Sequence, residues 1–212
     1  MRRLFTLVLL SLLQISLSAC TSLPQQQPVS AVDGNAVQAH QQQLQALTEW
    51  RLQGQLALFD LTNEKRHSMY IDWQHSPALT SLRFSHPLQG TLARLQQTPA
   101  GAVLIDNDDN HYYGNDAETL LYDYFQLALP FNLLSDIMLG RQQPSMQQPQ
   151  YLLANQQPPL ALLTGYSIDA GGQRWQVQLT NYRAIQALLL PQQFELTTRQ
   201  WRLKLRVNQW QF

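Results

Sequence analysis

Residues 52–74 read LQGQLALFDLTNEKRHSMYIDWQ, and this stretch decides the fold. Asn63 and Glu64 form a turn between two runs in which apolar side chains occupy every second position. These side chains are Leu52, Leu56 and Leu58 in the first run, and Met69, Ile71 and Trp73 in the second. A period of two residues is typical of a strand with one buried face. The stretch therefore predicts an antiparallel hairpin with one apolar side.

The same alternation continues on both sides of a helical middle segment. Short turns, such as Thr98–Gly101 and Gly171–Gly172, separate the runs. The further strands are predicted at residues 82–84, 92–95, 103–105, 111–113, 160–168, 175–179, 194–196 and 201–207. This order predicts an antiparallel meander that is interrupted once and then resumed.

Three helices are predicted from spacing and end signals. The first covers residues 35–48. The second covers 116–127 with Asp116 as its N-cap, and the third covers 133–139 with Asn132 as its cap and Gly140 as its end. The Gln- and Pro-rich stretch from 141 to 159 is interpreted as a loop.

A mainly β (α+β) fold follows: a single, strongly curved antiparallel sheet, or unclosed barrel, whose concave apolar face is covered by a helical lid. The space between sheet and lid is either a packed core or an apolar cavity. Periodicity does not separate these two, and packed cores are the commoner case.

The first 20 residues resemble a lipoprotein signal peptide. Arg2 and Arg3 precede an apolar run from Leu4 to Leu13, which is too short to span a bilayer, and Leu-Ser-Ala-Cys ends at Cys20. The alternative is an ordinary secretory signal with an incidental cysteine. Lipid attachment is favoured because Cys20 is the only cysteine of the chain. The predicted divisions are a removed signal at 1–19, a lipidated flexible tether at 20–34 and one domain at 35–212.

Composition excludes several classes of protein. Once Arg2 and Arg3 are removed, 12 basic and 14 acidic residues remain, so the basic surface of a nucleic-acid binder is not expected. Asp106, Asp108 and Asn110 begin like a calcium loop but lack its Gly and closing Glu, so a hairpin turn is favoured. His67 and His75 are too far apart to share a metal. Neither a nucleophile–base motif nor a phosphate loop occurs, and no cofactor is expected.

From about Trp50 to Phe212 the chain resembles the LolB family of outer-membrane lipoprotein receptors. No one motif identifies the family, but the order and spacing of the motifs together with the lipobox at Cys20 do. The matching pieces are Asp72-Trp73-Gln74, His86-Pro87-Leu88-Gln89-Gly90, Asp116-Ala117-Glu118, Pro130-Phe131-Asn132-Leu133-Leu134, Leu139-Gly140, Gly172, Trp175, Tyr182, Leu190-Pro191, Glu195-Leu196-Thr197, Arg202-Leu203-Lys204-Leu205 and Trp210. The chain departs from the family pattern at His86 and Gln89, and at Arg141, where an apolar residue is typical.

The resemblance implies an unclosed β-barrel with a helical lid over a hydrophobic cavity. It also implies the activity: a monomer on the periplasmic face of the outer membrane takes acylated lipoproteins from the carrier LolA and inserts them among the phospholipids. Thr21, in place of the Asp that resembles an inner-membrane retention signal, implies the outer-membrane address. The rival interpretation is a scaffolding lipoprotein with a filled core, and an enzyme is not expected.

Site residues follow from the resemblance together with the periodicity. The predicted acyl-cavity lining is Leu56, Leu58, Met69, Ile71, Trp73, Leu82, Phe84, Leu120, Tyr124, Leu133 and Ile137. Pro87, Leu88 and Gly90 are predicted to form a membrane-insertion loop, although a scattered exposed leucine is ordinary on any surface. Arg202, Lys204 and Arg206 share one strand face. That face is either a solvated exterior or a docking patch for an acidic carrier or anionic headgroups.

Overall fold

The structure is a computed structural model, which describes Val29 and residues 31–212. The predicted signal peptide, Cys20 and most of the tether lie outside the described residues. Within the described part of the chain, no helix is long and apolar enough to cross a membrane.

One antiparallel sheet of eleven strands dominates the fold, in the order β6-β5-β4-β3-β2-β1-β13-β12-β9-β8-β7. A separate hairpin consists of β10 and β11. The strands are β1 Trp50–Asp60, β2 Lys65–His75, β3 Thr80–His86, β4 Gly90–Thr98, β5 Gly101–Asp106, β6 His111–Gly114, β7 Gln147–Ala154, β8 Leu160–Ala170, β9 Gln173–Thr180, β10 Arg183–Ile185, β11 Leu188–Leu190, β12 Gln193–Thr197 and β13 Trp201–Gln211. The two edges, β6 and β7, do not pair with each other, so the predicted unclosed antiparallel sheet is confirmed.

The centre of the sheet is the pair formed by β1 and β13, the first and last strands of the domain. Their register shifts at Gln53 and Gly54, which is a β-bulge that bends the strand. A Cβ atom at Gly54 would lie 2.4 Å from the carbonyl oxygen of Arg206. Only glycine therefore permits this close approach of the two backbones.

In the described part of the chain, three helices cover the sheet: α1 Gly34–Gln45, α2 Ala117–Phe125 and α3 Phe131–Leu139. The predicted N-cap is confirmed for α2, where the Asp116 carboxylate accepts a 2.7 Å hydrogen bond from the Thr119 amide. Gly140 ends α3 in the left-handed conformation, as predicted. The predicted cap of α3 is wrong, because that helix begins earlier, at Phe131, and Asn132 lies inside it.

The predicted loop at 141–159 is also wrong, because it contains β7. This strand is at the edge of the sheet, where a missing N–H is tolerated, and its register with β8 is irregular around Pro149. Backbone hydrogen bonds of 2.8 and 2.9 Å join Val29 to Tyr151 on the outer side of β7. The short β10–β11 hairpin was likewise missed.

Candidate functional site

An apolar cavity of about 330 Å³ lies between the concave face of the sheet and the lid, which consists of α2, α3 and the segment that joins them. Its polar lining residues are Asp106 and Asn107. The other wall residues are Leu56, Leu58, Met69, Ile71, Trp73, Leu82, Phe84, Leu92, Ala93, Leu95, Leu104, Leu121, Leu127, Leu129, Phe131, Leu134, Met138, Leu203 and Leu205. Such a wall suits hydrocarbon.

The sheet side of the cavity contains all seven strand residues that were predicted to line it. They come from β1, β2 and β3, where the alternation aims every second side chain at the lid. Leu56, Leu58 and Phe84 are only partly buried, although they pack against the core. All three also line the cavity.

On the lid side, the structure corrects the four predicted residues. Leu120 lies against Gly114 of β6, and the ring of Tyr124 contacts Tyr112 with centroids 4.4 Å apart. Leu133 is half-buried and Ile137 is fully buried, but neither reaches the cavity wall.

The side chains that do reach the wall from the lid helices are their near neighbours. They are Leu121, Phe131, Leu134 and Met138. One residue along a helix rotates the side chain by about 100°. For Leu120, Leu133 and Ile137, spacing therefore identified an apolar helix but predicted the residue one position before the one that lines the cavity.

The polar end of the cavity is the hairpin turn between β5 and β6. The Asp106 carboxylate accepts hydrogen bonds from the amides of Asp108 and Asn110, both at 2.9 Å, and from the Asn110 side chain and the Tyr112 hydroxyl, both at 3.0 Å. These bonds, the Asn110 side chain first, lower the pKa of Asp106 to about 2. Asp106 thus holds the turn, as its sequence favoured.

A tryptophan cluster fills the space beside the cavity. Trp50 contacts Trp73 and Trp210, with ring centroids 5.2 and 5.5 Å apart. Trp73 also lies nearly parallel to Phe131 of α3, at 6.3 Å. This last pair is the aromatic contact between the floor of the cavity and its lid, and aromatic pairs of this kind contribute about 0.5–1.5 kcal/mol beyond burial.

Arg141 joins the lid to the first helix. Its guanidinium donates to the carbonyl oxygens of Leu44 at 2.7 Å and Leu47 at 2.6 Å, and to the Asp136 carboxylate at 3.0 Å. The carbonyls at the end of a helix lack intrahelical partners and carry partial negative charge. Arg141, which departs from the family pattern, therefore caps α1 and fixes it to α3. The sequence signal was a lone cation directly after the helix-ending glycine.

Leu88 lies at the tip of the β3–β4 turn and is 90% exposed. Pro87 and Gln89 flank it, and Gly90 has a positive φ of 74° that turns the chain into β4. Phe84 and Leu92, on the two strands that carry this turn, line the cavity. The exposed tip and the apolar cavity are therefore built on the same hairpin.

Arg202, Lys204 and Arg206 occupy the outer face of β13. Lys204 forms a 2.9 Å ion pair with Glu195, while the Arg202 guanidinium lies 4.7 Å from the centre of the Phe59 ring. Arg206 is exposed. The three residues share the face that the sequence predicted but differ in their contacts.

Comparison with known proteins gives a consistent result. A family model described as outer membrane lipoprotein LolB matches residues 48–210. The chain is 32% identical to the outer-membrane lipoprotein LolB of Vibrio cholerae, over 92% of this chain and 90% of the relative. It is 30% identical to the protein of the same name from Psychromonas ingrahamii, over 81% of this chain and 80% of the relative.

Solved structures with a similar backbone have distant sequences. A LolA superfamily protein from Nitrosomonas europaea superimposes with a TM-score of 0.53 and 7% identity, over 86% of this chain and 94% of the other. A DUF1329 family protein from Desulfovibrio piger gives a TM-score of 0.54 at 5% identity, covering 84% and 93%. These likenesses show that the curved sheet with a helical cover is a shared fold.

Proposed function

The chain belongs to the LolB family of outer-membrane lipoproteins, and on this premise we propose that it receives acylated lipoproteins from the carrier LolA and inserts them into the outer membrane. The protein is an outer-membrane lipoprotein that serves lipoprotein localisation. It acts as a monomer anchored through a lipid on Cys20. It binds and transfers its cargo without covalent catalysis.

The observation that supports this proposal is the apolar cavity under the lid. A scaffolding lipoprotein needs only a filled core. A cavity lined by leucine, phenylalanine and methionine side chains can instead hold acyl chains. Each methylene group moved from water into such a wall gains about 0.8 kcal/mol. Acyl chains therefore pass between a carrier, this cavity and a bilayer according to small differences in affinity.

The size of the cavity adds a condition to the proposal. At about 330 Å³ it is at the lower end of the roughly 300–1,000 Å³ typical of sites for one small ligand. A triacylated cysteine requires more room. The lid must therefore move away from the sheet when cargo enters, which separates the Trp73 and Phe131 rings.

The decisive test separates acceptance of cargo from delivery. In Leu88→Glu a charge replaces the leucine that is proposed to enter the bilayer, and the loss of roughly 1.5–3 kcal/mol of apolar transfer slows delivery at least tenfold. Acceptance from the carrier and the melting temperature stay unchanged, because an exposed tip contributes little packing. Replacement by Ile or Phe retains delivery.

A matched control is Leu79→Glu, since Leu79 lies in the turn at the other end of β3 and is also exposed. Delivery by that variant remains normal. A Leu88→Glu protein that delivers cargo at the wild-type rate would disprove the role of the loop.

The division between tether and domain has its own test. Every described helix and strand begins at Gly34 or later, so a chain starting at Thr21 keeps the whole fold and is soluble. It still accepts cargo from the carrier. Binding of a fluorescent acyl probe in one-to-one ratio, with displacement by cargo, distinguishes the transfer protein from the scaffold, which binds none.

A further inference from the structure

A second recess, of about 540 Å³, lies on the outer face of the sheet, opposite the acyl cavity. Ala57 and Ser68 pair across β1 and β2, and both of these small side chains line the recess. Arg66, Lys204, Arg206 and His86 stand around it. We call this recess the outer groove, and the acyl transfer proposed above does not use it.

The outer groove has more positively than negatively charged side chains. Lys204 is paired with Glu195. Within the described residues, neither Arg66 nor Arg206 has a carboxylate oxygen within salt-bridge distance. Both side chains are exposed. The groove therefore has two cations without acidic partners, and guanidinium groups favour phosphate because they can donate two parallel hydrogen bonds to it.

A second observation concerns Phe59, beside the groove. Arg66 and Arg202 lie over the same ring, at 5.4 and 4.7 Å from its centre. These two guanidiniums occupy the strands on either side of β1, and the stacking restricts both. Two like charges held close together are stabilised when an anion binds next to them.

The position of the groove indicates which anion it binds. His86 and Pro87, at the base of the Leu88 turn, form one of its walls. Arg206 lies in the cross-strand row that runs through Gln55 and Tyr70 to Ser85, three residues before Leu88. Three residues span at most roughly 10 Å along the strand, and residues 87–89 form a turn. Arg206 therefore lies less than about 10 Å behind the Leu88 tip along the strand direction, similar to the headgroup layer, which adds about 5–8 Å to each side of the hydrocarbon.

We propose that the outer groove binds the phosphate groups of anionic lipid headgroups while the Leu88 loop is in the bilayer, through Arg66 and Arg206. This inference rests on the proposed insertion of Leu88. The groove then holds the domain against the membrane with the mouth of the cavity, on the same hairpin, directed at the site of delivery. The partner is the lipid surface and not the carrier.

Co-sedimentation with vesicles tests the assignment, using the chain that starts at Thr21 so that no anchor contributes. The vesicles contain phosphatidylcholine alone, or with about one third phosphatidylglycerol. At about 1 kcal/mol for each cation near an anionic surface, the wild type prefers the anionic vesicles by roughly 10- to 30-fold. The double variant Arg66→Gln/Arg206→Gln loses that preference and keeps its binding to phosphatidylcholine. Salt at about 1 M, where the Debye length is near 3 Å, abolishes the wild-type preference.

The control is Arg94→Gln/Arg183→Gln, which removes the same charge from exposed positions outside the groove and leaves the preference in place. A groove variant that retains the full preference overturns the proposal. So does one that loses acceptance from the carrier while its lipid preference stays intact, because the groove is then a carrier site. Neither result depends on Leu88→Glu, whose normal delivery would count against the proposed function itself.

Discussion

The two halves of the sheet have the same alternation of side chains but enclose different interiors. On β1 to β5, the apolar face meets the lid across a cavity, and Leu56, Leu58 and Phe84 are partly exposed. On β8, β9 and β12, the corresponding side chains are fully buried, and Leu163, Ile168, Trp175, Leu179 and Leu196 show no exposure. What covers a one-sided sheet, and how tightly, therefore decides whether its apolar face becomes a core or a binding site.

The covers differ in how they are attached. Polar contacts fix α1 in place over β8: the Gln41 amide donates to the Gly140 carbonyl at 3.0 Å and its oxygen accepts from the Gln142 amide at 2.8 Å. His40 contacts the Leu189 carbonyl at 3.0 Å, and Arg141 caps the end of the helix. Over the cavity, α2 and α3 rest on apolar side chains and have one polar link to the sheet: the Gln97 side chain of β4 accepts from the Ala117 amide at 2.7 Å and donates to the Asn132 side chain at 3.1 Å. Opening the lid therefore breaks the two Gln97 hydrogen bonds as well as apolar contacts.

The largest expected difference between the two halves is in stability. Trp175→Ala leaves a cavity in the packed half and lowers the free energy of unfolding by about 3–5 kcal/mol. Phe84→Ala costs much less, because that side chain already borders a void. Thermal and urea unfolding of the two variants measure this. Equal losses would show that the cavity half is packed as tightly as the other.

The polar attachment of α1 is tested at Arg141. Arg141→Met keeps an apolar stem but removes one donor from the Leu44 and Leu47 carbonyls and from Asp136, and costs about 1–3 kcal/mol. In Arg174→Met the broken ion pair, with Asp169, is more than half exposed, so the loss is about 0–1 kcal/mol. Hydrogen exchange on α1 should increase in the first variant alone. Unchanged exchange there would mean that apolar packing holds α1 without the cap.

Filling experiments compare the interiors directly. Ala93→Phe places a ring in the cavity and weakens binding of an acyl probe roughly tenfold or more, since about 0.8 kcal/mol is lost for each displaced methylene, while stability is retained. Ala161→Phe, at a fully buried position in the packed half, costs about 1–3 kcal/mol by overpacking. Probe titrations and melts report both effects. If Ala93→Phe unfolds the protein because the ring does not fit, the interior at this position is packed and contains no cavity.

The smallest expected effect is a dependence on pH in the packed half. Burial lowers the pKa of His40 below its ordinary value of 6.5. The unfolded chain therefore binds a proton first, and stability contributed by neutral His40 is present above pH 6.5 and lost as the pH falls below it. His75 shifts in the same direction, chiefly through burial. The difference between wild type and His40→Gln isolates the first residue. A stability difference that stays constant from pH 7.5 to about 5 would contradict this assignment.

The sequence predicted the strands of the cavity wall well because side-chain direction in a strand depends only on whether a position is odd or even. Leu56, Ile71 and Leu82 face the lid for that reason. The prediction of the lining residues on the lid helices was less accurate, because Leu120 and Leu121 are equally apolar, as are Ile137 and Met138. Both residues of each pair are buried, one against the sheet edge or core and the other at the cavity. Composition alone does not rank them.

The sequence by itself determined the antiparallel sheet, the helical interruption, the exposed turn at Leu88 and, through ordered motifs, the LolB family, since these depend on local periodicity and turn chemistry. Tertiary structure alone placed β7 in the sheet, made Arg141 the cap of a helix about a hundred residues earlier in the chain, and left a cavity in one half of the interior. Each depends on residues far apart in sequence, and a void is a property of the space between elements that no single segment specifies.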